Sequence, residues 1–181
     1  EAGLRELDTV EQILKMQGED ALRTTDAAGI FLKKGQVCLS MGKHRAALRY
    51  LRRARKIVLA ARMPESERTA RLAASIGAAQ LEMGRFGEAV RELESAVEFY
   101  KSRSESASSA TSGSLASALF DLGRAYARVG SVASDLAAFK TFGSLREMEQ
   151  QRHEADERNG FDWRLAVHLG DANAKQGLLS L

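Results

Sequence analysis

Residues 76–97 read IGAAQLEMGRFGEAVRELESAV. Gly77 follows an apolar residue, and a second glycine, Gly84, comes seven residues later at the end of an apolar-periodic run. Beyond it stand Ala89, then Leu93 four residues on, then Ala96 three further. Each position has a physical task. Having no Cβ, Gly77 lets the backbone of a neighbouring helix approach closely. Gly84 can end the first helix in a positive-φ conformation that other residues resist. Ala89 and Ala96 are small enough for a second helix to nest against the first, and Leu93 fills the space between. The stretch predicts a pair of packed helices joined at a glycine turn.

The same spacing recurs along the chain. Residues 29–58, GIFLKKGQVCLSMGKHRAALRYLRRARKIV, place Phe31, Gly35, Gly42, Ala47, Leu51 and Ala54 in the same order. Leu122, Gly123, Tyr126 and Gly130 open a third pair; Leu169, Gly170 and Gly177 mark a fourth first helix over 161–177, beginning near Trp163. The glycine pairs Gly35/Gly42, Gly77/Gly84, Gly123/Gly130 and Gly170/Gly177 are each seven apart, at intervals of 42, 46 and 47 residues. In the third pair Asp135 occupies the place of the small alanine, with Phe139 and Phe142 behind it. That second helix is expected to pack differently and to run to Arg158, before the Asn159–Gly160 stop. Leu4, Leu7, Val10, Ile13 and Leu14 predict an amphipathic helix over 1–17, so 1–28 reads as an N-terminal helix with a degenerate or capping segment. The repeats occupy 29–181, as 29–62, 68–101, 115–158 and the terminal helix. Residues 60–67, around Pro64, read as a short linker, and the low-complexity run SRSESASSATSGS at 102–114 as a mobile loop.

Composition agrees with helices. Aromatic residues make up 6% and there is one proline, which argues against a β-sandwich, while 44% apolar residues suffice for a globular core. The single cysteine, Cys38, cannot form an internal disulfide, so an intracellular setting, cytoplasmic or otherwise, is expected. No run of about 18 apolar residues predicts a membrane span. The opening EAGLRELDTV has neither an initiator Met nor a signal pattern and is expected to belong to a longer polypeptide. A net charge of +3 does not by itself imply nucleic acid.

The Leu-Gly step, the turn glycine, and the Ala, bulky apolar and Ala of the second helix resemble the tetratricopeptide repeat. The intervals exceed the 34 or so residues usual in that family and are similar in length to the repeats of kinesin light chains and spindle-orientation adaptors. Cys38 stands where the repeat usually has tyrosine. The resemblance implies an all-α superhelical solenoid whose first helices line a concave groove, acting as a protein–protein interaction module, an adaptor or scaffold. The chaperone-binding subclass grips a C-terminal carboxylate with Lys and Asn in successive first helices. Those places here hold Leu32, Gln36, Ser75, Ser117 and Asp121, so such a clamp is not expected.

Projecting each first helix outward from its Leu-Gly step gives the expected partner-binding residues Lys43, Arg71, Leu81, Arg85, Phe120, Arg124, Arg128, Arg164 and Lys175, with Ala74 and Ala78 among the other projected groove positions. Seven are basic, with Asp171 the single acid among the projected groove positions, which suits an acidic, partly apolar peptide or helix. The competing reading is that these arginines are solvated or bridge one repeat to the next. A second basic feature is KHRAALRYLRRARK at 43–56, with seven basic residues and no acid. Arg45, Arg49, Arg52 and Lys56 share one helix face there, around Tyr50. This stripe supports an alternative, a nucleic-acid-associated protein, against the plainer reading of a solvated convex face. Glu147, Glu149, Glu154, Asp156 and Glu157 form an opposing acidic segment, so self-association is a further possibility.

Nothing points to catalysis. His44, His153 and His168 are scattered without metal-ligand spacing, the glycines follow helix ends rather than a strand, and Cys38 has no partner histidine. Cys38 and Trp163 read as core. No cofactor, metal or enzyme activity is expected.

Overall fold

The computed structural model describes residues 2–18, 20–21, 24–62, 64–103 and 109–158. The described residues form seven helices and no strand: α1 (Ala2–Met16), α2 (Thr25–Ser40), α3 (His44–Ala60), α4 (Glu67–Glu82), α5 (Phe86–Arg103), α6 (Ser109–Val129) and α7 (Val132–Arg158). The chain divides into two units, Glu1–Phe142 and Gly143–Leu181. The described part of the second is the continuation of α7. The expected terminal helix, with Arg164, Lys175, Asp171 and Trp163, lies outside the described residues. The first unit is a stack of helical hairpins, α2 on α3 and α4 on α5, with α6 packed on α5, and the fold is an all-α helical repeat solenoid.

The glycines do what their spacing implies. A Cβ on Gly35 would meet the Leu51 side chain at 2.5 Å, and one on Gly77 would meet Leu93 Cγ at 2.6 Å. Only a hydrogen atom fits in either gap. Ala47, Leu51 and Ala54 in α3, and Ala89, Leu93 and Ala96 in α5, are fully buried. Gly42, Gly84 and Gly130 adopt φ of 69°, 74° and 76°. The turns repeat in detail: Lys43 N–H donates to Cys38 O at 2.8 Å, and Arg85 N–H to Gln80 O at 2.9 Å, closing each first helix. Cys38 is buried within this packing, and burial pushes its thiol pKa up, as suits a core residue.

The third pair shifts register by one helical turn. Asp135 takes the alanine place and is exposed, as a carboxylate must be without a partner. Ala138, three residues later, is buried in its stead. Phe142 then takes the leucine place, with its ring 2.6 Å from where a Gly123 Cβ would stand, while Phe139 is 77% exposed. At 27 residues α7 is the longest helix described; it is described as far as Arg158, and the expected Asn159–Gly160 stop lies outside the described residues.

Of the expected loop at 102–114, residues 102–103 and 109–114 are helical, and 104–108 lie outside the described residues. Ser102 and Arg103 finish α5, and 109–114 open α6, where alanine and serine are acceptable helix formers and Leu115, Ala118 and Leu119 provide the buried face. The linker around Pro64 is short. Ser66 caps α4 reciprocally with Thr69, the Thr69 hydroxyl accepting from Ser66 N–H at 2.8 Å.

α1 docks onto the first hairpin through charge as well as apolar contact. Lys34 is 1% exposed and pairs with Glu11 and, at 2.7 Å, with Asp8. Arg53 of α3 reaches Glu11 at 3.2 Å and lies 4.1 Å from the Phe31 ring. This ion cluster fixes where the capping helix sits.

Candidate functional site

First helices α2, α4 and α6 border a cleft of about 450 Å³. Its walls are short or uncharged over most of their length. Ala74 and Ala78 on α4 and Ala118 on α6 leave the space open. Gln36 and Leu39 form the α2 side, and Ser114, Ser117 and Asp121 the α6 side. Gln36 Nε2 donates to Ser75 Oγ at 3.3 Å, and Ser75 Oγ donates to Arg71 O at 2.8 Å, joining α2 to α4 across the cleft.

Tyr100, from the end of α5, is 1% exposed and also lines the cleft. Burial pushes its hydroxyl pKa up, and its hydrogen bonds to Ser114 and Arg71 oppose that shift. Burial likewise raises the Asp121 carboxyl, against the charge and hydrogen bond of Arg124. On the outer side of the same helices, burial and the Glu94 carboxylate push Tyr126 to about 12, its hydroxyl donating to Glu94 and tying α6 to α5.

The residues expected at the groove part company here. Arg71 lines it, paired within its own helix to Glu67. Leu81 does not: it is 5% exposed, because the residue four after Gly77 shares the face pressed against the partner helix. Arg124 bridges repeats, 2.8 Å from Glu82 of α4 and 3.3 Å from Asp121. Phe120 is half-exposed but lies edge-on to Phe142 at 6.4 Å, with the Arg124 guanidinium 5.8 Å from its ring. Arg128 stacks 5.4 Å from the Phe86 ring, and Arg85 is 3.8 Å from Glu88, both near the α4–α5 turn. Lys43 borders a separate hollow with His44, Arg45 and Glu82. Arg164 and Lys175 lie outside the described residues.

Several cleft residues escaped the projection. Ser75, Ser117 and Asp121 were weighed only as clamp positions. Tyr100 stands on a second helix, and no repeat signature marks it. The basic stripe also divides. Arg53 pairs with Glu11 of α1, Arg55 pairs in bidentate fashion with Glu92 of α5, and Tyr50 turns towards Lys34, 5.4 Å from its ring. Among the described residues there is no group of acids, histidines and cysteines that could hold a metal, and no helix long and apolar enough to cross a membrane.

Residues 26–102 match the family model of the tetratricopeptide repeat, which covers α2 to α5. No curated protein and no solved structure matches the chain. Repeats of this family generally mediate protein–protein interaction and are generally non-catalytic.

Proposed function

With residues 26–102 belonging to the tetratricopeptide repeat family, we propose that the cleft between α2, α4 and α6 binds a peptide or helix of another protein, the chain serving as an adaptor. The observation that carries this is the open space left by Ala74, Ala78 and Ala118 beneath three adjacent first helices. Apolar side chains of a ligand can fill it, while Gln36, Ser75 and Ser117 offer hydrogen bonds to its backbone. An acidic residue of the ligand would meet Arg71. The exposed pair of Arg71 with Glu67 is worth only about 0.5 kcal/mol and is readily exchanged. Arg124, held by two carboxylates, adds no unpaired charge to the cleft. The setting is intracellular, where a lone thiol such as Cys38 stays reduced.

The test compares proteins retained by the immobilised domain with those retained by Ala78→Trp, which fills the cleft, and by Arg71→Gln. A segment of each retained protein is then titrated as a synthetic peptide. Ala78→Trp loses binding at unchanged melting temperature, and Arg71→Gln weakens peptides that carry an acid. Peptides that bind Ala78→Trp as tightly as the native chain place the site elsewhere.

A further inference from the structure

Helix α3 carries six basic residues and no acid, and these residues divide among three directions. Arg53 leans to Glu11 of α1 and Arg55 to Glu92 of α5, so each flank is neutralised by a neighbouring helix. Arg45, Arg49, Arg52 and Lys56 lie between those flanks, opposite the buried Ala47, Leu51, Ala54 and Val58. All four are exposed, and none pairs with an acid among the described residues. They form a straight ridge about 16 Å long, with successive charges about 6, 4.5 and 6 Å apart along the axis. Helix α3 as a whole also matches the positive excess of its unit. Residues 1–142 contain 22 basic and 17 acidic side chains, and α3 alone accounts for six of the basic ones.

We infer that this ridge is a second docking surface, separate from the cleft, and that its occupant is an acidic helix of another protein with carboxylates at positions i, i+4, i+7 and i+11. Such a helix repeats the ridge's spacing, so each carboxylate meets one cation. Arg53 with Glu11 and Arg55 with Glu92 show α3 pairing with a carboxylate of a neighbouring helix on each of two sides. Width decides against broader anions. The ridge is one helix across, and the arginines beside it are already paired, Arg53 with Glu11 and Arg55 with Glu92, so a membrane or a nucleic-acid duplex would find only a single line of unpaired cations. Tyr50, the aromatic residue within the stripe, faces Lys34 and offers no stacking platform to a base.

The experiment uses an alanine-based helical peptide with four glutamates at that spacing, a scrambled peptide of equal composition, and a short DNA duplex, each followed by fluorescence anisotropy with the full chain. The patterned peptide binds more tightly than the scrambled one and weakens as salt rises from about 50 mM to about 500 mM. Replacing Arg45, Arg49, Arg52 and Lys56 by Gln weakens it about ten-fold at unchanged melting temperature. Should that variant fold poorly, Arg49→Gln with Arg52→Gln, leaving Arg53 and Arg55 in place, weakens binding about three-fold. Ala78→Trp leaves binding unchanged, which separates this surface from the cleft. The inference is overturned if the scrambled peptide binds equally, if the ridge variants bind like the native chain, if Ala78→Trp abolishes binding, or if the duplex binds more tightly through the same four residues.

Discussion

Leu93 sits so close over Gly77 that a Cβ on the glycine would stand 2.6 Å from Leu93 Cγ. Leu93 is fully buried, so it cannot swing aside. Gly77→Ala is expected to force α4 and α5 apart and cost about 1–3 kcal/mol, read from denaturant midpoints. Gly87→Ala, at a helical glycine with nothing within 4 Å, is the control and should be neutral or slightly stabilising. Equal midpoints for the two variants would remove the close approach as a cause of stability.

Gly84 makes a different demand. A Cβ there meets nothing within 4 Å, yet φ is 74°. Gly84→Ala should cost about 1–2 kcal/mol through backbone conformation alone, whereas Gly84→Asn, which tolerates this region, should cost less. Thermal melts of the two variants settle the order.

The register of α7 gives a contrast between two phenylalanines. Phe142 packs on Gly123 and Phe120, so Phe142→Ala should lower stability by about 2 kcal/mol, less than a fully buried site because the ring is 37% exposed. Phe139→Ala, at a ring 77% exposed, should change it by less than about 0.5 kcal/mol. The reverse order would return α7 to the register of α3 and α5.

The attachment of α1 should depend on pH. Burial alone would raise the Glu11 carboxyl, but the hydrogen bonds and charges of Lys34 and Lys15 outweigh it and hold the carboxyl below its usual range. A carboxyl lowered by folding stabilises above its ordinary pKa and ceases to as pH falls through the lowered value. Burial alone would lower Lys34, yet Asp8 and Glu11 outweigh it and raise the ammonium pKa. That contribution is complete below about pH 10 and is lost as pH rises through the raised value. Glu11→Gln should cost about 3 kcal/mol at neutral pH, because Lys34 is left buried with a partner lost. The gap between native and Glu11→Gln melting temperatures should begin to narrow below about pH 4 and close as pH falls through the lowered value. A gap that stays constant down to pH 3 would show that the ion cluster does not hold the helix.

Part of the lining of the candidate cleft was legible from residue spacing, and the legible part is local. Ala74 and Ala78 follow from where the Leu-Gly step puts the outward face of α4. Arg71 was placed by the same projection, and the cleft contains it. Leu81 was misplaced because residues four apart share a face, and the face of Gly77 belongs to the neighbouring helix. The role of Arg124 was invisible, since Glu82 is 42 residues away and their pairing exists only once α6 lies beside α4. Tyr100 reaches the cleft only because α5 ends beneath α4 and α6.

The sequence by itself determined the hairpins. A glycine that must be approached, a glycine that must turn, and two alanines flanking a leucine act within about 20 residues, and each requirement is steric and short-range. It also showed that α7 would depart from the pattern, since Asp135 cannot take a buried alanine's place. Only the tertiary structure decided where the departure ended. Ala138 and Phe142 replace Asp135 and Phe139 one turn later, because Gly123 needs a side chain above it and Phe142 is the one that α7 brings there. Tertiary structure also sorted the basic residues into those neutralised across a helix boundary and those facing solvent. Charge pairing depends on which helices become neighbours, and that is fixed by burial of the apolar faces and not by the spacing of the charges.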